Sequence, residues 1–209
     1  MTFCMGTTPP QILFQRVEQY HSHRFRQAMH IYLAEFPRDS RLPISRIREL
    51  LKAGDYQLLI AEEHGQVMGF ALIWLSRAPA FVHLDYLAVG QPWKGKGIGT
   101  ALYRWLLARL PALLPRTQML TLEVEDDLIL FYQRSQTRLL HEVQYLFPGP
   151  LGPVPMHLMA HDLRARTKLD RRTVQGVIHA LYCGLHGREP TDPVLRQCLT
   201  QVPAQVSLT

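Results

Sequence analysis

Apolar residues recur along this chain with two different periods, and each change of period marks an element. Alternation from Ile12 to Val17 predicts a first strand. Ser22 is suited to cap a helix. Behind it Phe25, Met29, Tyr32, Leu33 and Phe36 fall at i, i+4, i+7, i+8 and i+11, an amphipathic helix stopped by Pro37. A short helix after Pro43 turns Ile44, Ile47, Leu50 and Leu51 inward. Tyr56–Ala61 and Gln66–Trp74 read as strands joined by a turn ending at Gly65, and Phe81–Val89 reads as a third. Ile98, Ala101, Leu102, Trp105 and Leu106 restore the helical period to about Leu110, and a loop with two prolines follows. Met119–Val124 predicts a strand, and a helix opens at Glu125 and runs to about Arg134. Leu139–Phe147 and Met156–His161 are candidate strands on either side of turn chemistry at Pro148–Pro153. Asp170–Gly187 predicts an amphipathic helix with Val174, Val177, Ile178, Leu181 and Leu185 on one face, and a short helix follows Pro193.

Between the third strand and its helix lies Gly90-Gln-Pro-Trp-Lys-Gly-Lys-Gly-Ile-Gly99. The first amides of a helix have no internal partners, and glycines let an anion approach the backbone, so this turn is suited to phosphate. Lys94 and Lys96 stand in it. Gly97 occupies the place where a Walker A loop needs its metal-binding Ser or Thr, which argues against a nucleotide triphosphate. The G-x-G-x-G spacing and the mid-chain position also fit a dinucleotide fingerprint poorly.

The stretch is similar to motif A of the GNAT superfamily of acyl-CoA-dependent N-acetyltransferases, R/Q-x-x-G-x-G/A at a helix start. Here it reads Lys94-Gly95-Lys96-Gly97-Ile98-Gly99, with Lys94 in place of Arg or Gln. The predicted order (strand, two helices, three strands, helix, strand, helix, two strands) matches that family over about residues 11–162. The resemblance implies an α+β fold with a central, mostly antiparallel, splayed sheet flanked by helices. Residues 1–10 would be a disordered lead, and residues 163–209 an extra helical segment packing on the domain or on a partner, with a homodimer as one form of that contact. It implies acetyl-CoA as co-substrate, held by backbone groups at Leu87 and Val89 and by the turn from Lys94 through Gly95, Lys96, Gly97 and Gly99 to Thr100.

The implied reaction is direct attack of a primary amine, on a small molecule or peptide, upon the thioester. Tyr132, in Phe131-Tyr-Gln-Arg-Ser-Gln136, matches the family's tyrosine acid, although Gln136-Thr137 replace the usual Gly-Phe. His83 and Asp85 are the candidate bases, and strand alternation puts them on one face with Leu87. Glu123 is a candidate for holding the substrate cation. A lysine-like amine costs roughly 4.6 kcal/mol to hold neutral at pH 7 and an α-amine about 1, so the base's burden depends on the substrate. The alternative is a fold relative that binds CoA without catalysis. Arg38, Arg41 and Tyr145 are further polar residues on segments that line pockets in this fold.

Composition changes little. The formal net charge is +6, spread thinly, with one basic cluster from Arg164 to Arg172 and no interleaved aromatics, which argues against a nucleic-acid partner. No apolar run is long enough to span a membrane, and no secretory signal opens the chain. Three widely spaced cysteines without a CxxC point to a reducing cytoplasm. His179, Cys183 and His186 share a helical face at a spacing zinc accepts, but no fourth ligand accompanies them, and no metal is expected.

Overall fold

The computed structural model describes residues 12–114, 116–149 and 151–209; the lead of residues 1–10, with Cys4, lies outside the described residues. Strands β1 (Leu13–Val17), β2 (Tyr56–Glu63), β3 (Gln66–Arg77) and β4 (Ala80–Val89) pair antiparallel in that order. Strand β4 then meets β5 (Met119–Val124) in parallel. Beyond it lie β8 (Gly152–Asp162) and β6 (Arg138–Leu139), and β7 (Tyr145–Gly149) forms a hairpin with β8. The fold is therefore α+β with a mostly antiparallel sheet, as expected.

Both faces of this sheet are covered, which is why β2 and β3 read as nearly unbroken apolar runs. Tyr56, Leu58, Ile60, Phe70, Leu72 and Trp74 face helices α1 (His23–Glu35) and α2 (Ile44–Ala53) and the C-terminal segment. Leu59, Ala71, Ile73 and Leu75 face the other way, toward α3 (Ile98–Leu113) and α4 (Ile129–Gln133). Ser22 caps α1 by accepting from the Phe25 amide, 3.2 Å away.

Several boundaries differ from the sequence pattern. Helix α3 runs through Pro111 to Leu113, because a proline near a helix end loses only one hydrogen bond. The strand expected over Leu139–Phe147 is divided into β6 and β7 by a turn in which Glu142 takes a left-handed φ of 68°. The C-terminal segment holds β9 (Lys168–Asp170) paired with β10 (Gln205–Ser207), helix α5 (Arg171–His179) and helix α6 (Pro193–Thr200). Helix α5 does not continue to Gly187 in α form. It widens into a π-helical turn over Ala180–Leu185. Leu169, Val174, Ile178, Leu181, Tyr182, Leu195 and Val206 are buried in the same apolar cluster as α1 and α2. The apolar face of α5 is thus spent within the chain. The last residues pair back onto the sheet, with Leu139 N donating to Thr209 O at 2.7 Å and Thr209 N to Leu139 O at 3.1 Å.

Candidate active site

Strand β4 pairs with β5 only over Val82–Leu84 and Leu120–Leu122. From there β4 continues to Val89 with β3 alone as its recorded partner, Tyr86–Val89 lying opposite Gly69–Leu72. The side of β4 facing away from β3 is therefore left unpaired among the described residues. A bulge lies at the point of divergence. Leu72 faces Tyr86 and Ile73 faces Leu84, so Asp85 is the extra residue. This bulge corrects the simple alternation. His83 and Asp85 share a face, but Leu87 falls on the opposite one, against the cluster of α3. A Cβ built on Gly99 would lie 3.4 Å from Val89 and 3.7 Å from both Leu87 and Phe131, which seats the start of α3 on the unpaired end of β4.

After β4 the chain makes one 3-10 turn at Gln91–Trp93 and then enters α3 through two left-handed glycines, Gly95 at φ 76° and Gly97 at φ 79°. Gly97 is the N-cap and offers no side chain, and the first turn of α3 holds no acid. The N-termini of α1, α5 and α6 are each closed by a side chain, from Ser22, Asp170 and Asp192. The amides of Gly97, Ile98, Gly99 and Thr100 are the ones a first turn leaves without intrahelical acceptors. Space around Gly95 and Gly97 is open. Lys96 is exposed in this turn and Thr100 half-buried. Lys94 differs from expectation in where its charge goes. Its ammonium pairs with the Glu35 carboxylate of α1, and its amide donates to Gln91 O at 3.3 Å.

On the opposite face, β4, β5, β7 and the C-terminal segment bring a set of polar side chains together. Glu123 is buried at the end of β5, and its Oε1 accepts from the Tyr145 hydroxyl and from His186 Nε2 at 3.2 Å. Its Oε2 lies 3.7 Å from His83 Nε2. His83 is 1% exposed; its Nδ1 pairs with Thr121 Oγ1 at 3.0 Å, while Nε2 has no hydrogen-bond partner. The Tyr56 hydroxyl donates to Asp85 Oδ2. Burial alone would raise the Glu123 carboxyl, but the charge and hydrogen bond of His186, with His83 behind it, hold it well below the usual range. Burial opposes charge on His186, yet Glu123 and more weakly Asp85 raise it on balance. Asp85 is raised by burial, against the pull of His83, Tyr56 and His186. One carboxylate is thus kept ionised while its neighbour is moved toward the range where it can take up a proton.

Tyr132 lies on the α3 side. Its ring meets Tyr103 edge-on at 5.0 Å and Phe131 at 4.8 Å. Burial raises its hydroxyl, so the phenol keeps its proton at neutral pH. Phe131, its neighbour, touches the start of α3, which puts α4 beside the glycine turn. No hydrogen bond joins Tyr132 to His83, Asp85 or Glu123 among the described residues. The sequence-derived candidates therefore fall into two groups, one on each face of the sheet at the place where β4 leaves β5.

Sequence reasoning missed the parts of Tyr56 and His186. Tyr56 stands at an ordinary strand start, with no motif to single it out. His186 was grouped with His179 and Cys183, but only those two approach each other, Nε2 to Sγ at 3.8 Å. The π turn rotates His186 away from them. No group of three metal-ligating side chains forms among the described residues. Next to the site, a cleft of about 440 Å³ is lined by Glu125, Asp126, Asp127, Pro155, Met156 and His157.

A family model described as acetyltransferase (GNAT) family matches residues 20–136. No curated protein matches the chain. Among solved structures, a GNAT-family acetyltransferase of Bacteroides thetaiotaomicron superposes with a TM-score of 0.68 at 22% identity, over 85% of this chain and 99% of that one. NAA60 of Arabidopsis thaliana, solved with acetyl-CoA, gives 0.59 at 16% identity, over 74% of this chain and all of that one (100%). The ribosomal-protein-S18-alanine N-acetyltransferase of Escherichia coli gives 0.56 at 18% identity, over 73% of this chain and 94% of that one. At these identities the likeness is one of fold. No helix among the described residues is long and apolar enough to cross a membrane.

Proposed function

This chain belongs to the GNAT acetyltransferase family, and on that premise we propose that it is an N-acetyltransferase moving an acetyl group from acetyl-CoA to a primary amine by direct attack. One observation carries the reading: β4 parts from β5 beside a helix N-terminus that enters through two left-handed glycines and has no side-chain cap. The unpaired strand end and the uncapped helix start meet at Gly99, which suits an extended amide-bearing arm ending in a pyrophosphate. The backbone of Leu87 and Val89 would hold the arm. The amides from Gly97 to Thr100, with Gly95 and Lys96, would hold the phosphates. Lys94 would hold the turn to α1 through Glu35. Acetyl-CoA, when bound, supplies an acyl group already activated as a thioester.

The chain's own side chains divide the remaining work. Glu123, kept ionised by His186 and His83, would attract an ammonium group. Asp85 Oδ, with its affinity for a proton raised, would accept the proton that the amine must lose, and His83 Nε2, buried and without a partner, is the adjacent relay. Tyr132 Oη holds its proton at neutral pH and would donate it to the leaving sulfur.

The test is thiol release from acetyl-CoA with a panel of lysine, spermidine, an aminoglycoside and a tripeptide with a free N-terminus. Calorimetric titration with CoA runs beside it. Binding with turnover on at least one amine is expected, and Tyr132→Phe should lower kcat about 100-fold with CoA affinity unchanged. Intact turnover in that variant would remove Tyr132 from the role. CoA binding without turnover on any amine would favour a CoA-sensing relative, and no binding at all would end both readings.

A further inference from the structure

We propose that His186, brought in by the C-terminal segment, is a positioning residue for Glu123 and makes that segment part of the amine side of the site. The proposal rests on the acyl-transfer reading for its function, and on independent geometry for its structure. His186 Nε2 and the Tyr145 hydroxyl both donate to Oε1 of Glu123. Two donors on one oxygen fix the plane of the carboxylate and leave Oε2 turned toward His83, 3.7 Å away. That distance is beyond a hydrogen bond, and His83 Nε2 has no other partner although its side chain is 1% exposed. Oε2 and the buried Nε2 of His83 thus face each other at 3.7 Å, too close for another group to lie between them. A buried nitrogen without a partner is uncommon in a folded protein, and this one faces the carboxylate that His186 and Tyr145 hold in place.

The segment is built to hold the imidazole in this position. Helix α5 gives way to a π-helical turn at Ala180–Leu185, and the wider turn swings residue 186 off the face of His179 and Cys183 and onto Glu123. A Cβ on Gly184 would come within 2.8 Å of the Trp74 ring, so only glycine lets the turn lie this close to β3. The Tyr182 hydroxyl donates to Leu146 O. Arg188 Nη2 donates to Pro148 O at 2.8 Å and to Gly149 O at 3.2 Å. These bonds fasten the π turn and the residues that follow it to β7. The Phe147 ring meets the imidazole edge-on at 4.9 Å and sets its plane. Besides Glu123, the charged and titratable groups facing His186 and its partner are His83 and Asp85 on β4, Tyr145 on β7, and Tyr182 and Arg188 on the segment itself. With Asp85 close by, an ionised Glu123 would otherwise be a second buried anion, and His186 is the donor that offsets it.

The experiment uses the full chain and the variants His186→Gln, His186→Leu and Glu123→Gln. Its first arm is NMR titration of the histidine rings in the protein alone. His186 should titrate above the ordinary histidine range in the wild type and move below it in Glu123→Gln. Its second arm is the pH profile of kcat/KM with acetyl-CoA and whichever amine of the panel turns over. His186→Leu should lower kcat/KM about 10-fold or more. His186→Gln, whose amide donates from the same place without charge, should recover most of that loss at high pH. Its acid limb should lie about 1 pH unit or more higher, because Asp85 and Glu123 both lose the positive charge of His186. If His186→Leu does not fold, the glutamine variant carries the arm. An ordinary His186 titration that Glu123→Gln leaves unmoved would overturn the proposal. So would a wild-type profile in both His186 variants, which would make the contact structural only. Absence of turnover in the wild type would sink the acyl-transfer reading instead, and the ring titration would still decide whether His186 holds Glu123.

Discussion

The two sides of the sheet at the β4–β5 divergence are made in opposite ways. The cofactor side is one continuous stretch: the end of β4, the turn through Gly95 and Gly97, and the first turn of α3. As proposed above, it would work through backbone groups, with side chains that mainly keep out of the way. The amine side is assembled from His83 and Asp85 on β4, Glu123 on β5, Tyr145 on β7 and His186 near the C-terminus. On the proposed reading it would work through side-chain charge in a buried place, and so would depend on every element that positions those charges. While the core stands, the first should tolerate single substitutions in distant parts of the chain, and the second should not; the core itself is common to both.

The most severe way to test this contrast is to remove residues 163–209. If the segment were an appendage, the truncated chain would stay folded and still bind CoA. Six of its buried side chains, Leu169, Val174, Ile178, Leu181, Leu195 and Val206, lie in the main core cluster. At roughly 1.5–3 kcal/mol each they contribute on the order of 9–18 kcal/mol, which matches or exceeds the ~5–15 kcal/mol of a typical folded domain. The expected result is a chain without a cooperative melting transition by circular dichroism. A truncated protein that melts cooperatively would show that the segment is not part of the common core, and CoA binding by it would show that the cofactor side stands without the amine side.

A smaller, local break is Gly97→Ala. A left-handed φ of 79° costs a non-glycine residue about 1–2 kcal/mol, so the melting temperature should fall by roughly 2–8 °C. If the turn relaxes to escape that strain, the amides of Ile98 to Thr100 lose their common aim, and CoA affinity should fall about 10-fold in a calorimetric titration. The titration of His186 on the other side of the sheet should not move. Unchanged CoA affinity would remove the start of α3 from the cofactor site.

The same contrast explains what could be read in advance. The glycine turn was legible because its ingredients are neighbours in the chain: an apolar strand, Gly95, Gly97 and Gly99, and the periodic residues of α3. The order of elements along the chain followed from the same kind of local period, and the sheet class from the family resemblance. The amine side was legible only as separate residues, His83, Asp85, Glu123 and Tyr145, because three backbone irregularities decide how they meet. The bulge at Asp85 reverses the face of Leu87 relative to His83. The left-handed Glu142 divides one expected strand and starts a separate β7 from Tyr145. The π turn redirects His186. A strict period of 2 or 3.6 predicts none of these, since each arises from tertiary packing. His186 is visible in the sequence only as part of a helical face with His179 and Cys183, and nothing in that pattern names Glu123 as its partner.

The stability of the amine side should also carry a pH signature, smaller than either break above. Glu123 is held below its unfolded value, so the stability it contributes is present above the unfolded carboxylate range of ~4.3 and is lost as pH falls through its lowered folded value. His186 has the opposite sign. Its folded pKa is raised, so its contribution is complete below ~6.5 and is lost as pH rises through the folded value. Melting temperature should therefore decline as pH rises through that window above ~6.5. In Glu123→Gln the raised His186 pKa loses its main cause and the alkaline decline should flatten. A decline of equal slope in the variant would assign it to other groups.

The smallest expected effect concerns Lys94, which belongs to the cofactor turn by sequence and to α1 by contact. If its ammonium bound phosphate directly, Lys94→Ala should weaken CoA by 10-fold or more, and the loss should shrink at high salt. The structure instead pairs it with Glu35, with the lysine side chain 46% exposed. An ion pair that open contributes about 0–1 kcal/mol, so the variant should lose less than about fivefold in CoA affinity. Glu35→Ala should reproduce that small loss if the pair acts by anchoring the turn. If it tightened CoA binding by freeing Lys94 for the phosphates, the turn would be using a side chain as well as its backbone. A drop of 10-fold or more in Lys94→Ala alone would have the same meaning, and the division between a backbone-built and a side-chain-built half of the site would then no longer hold.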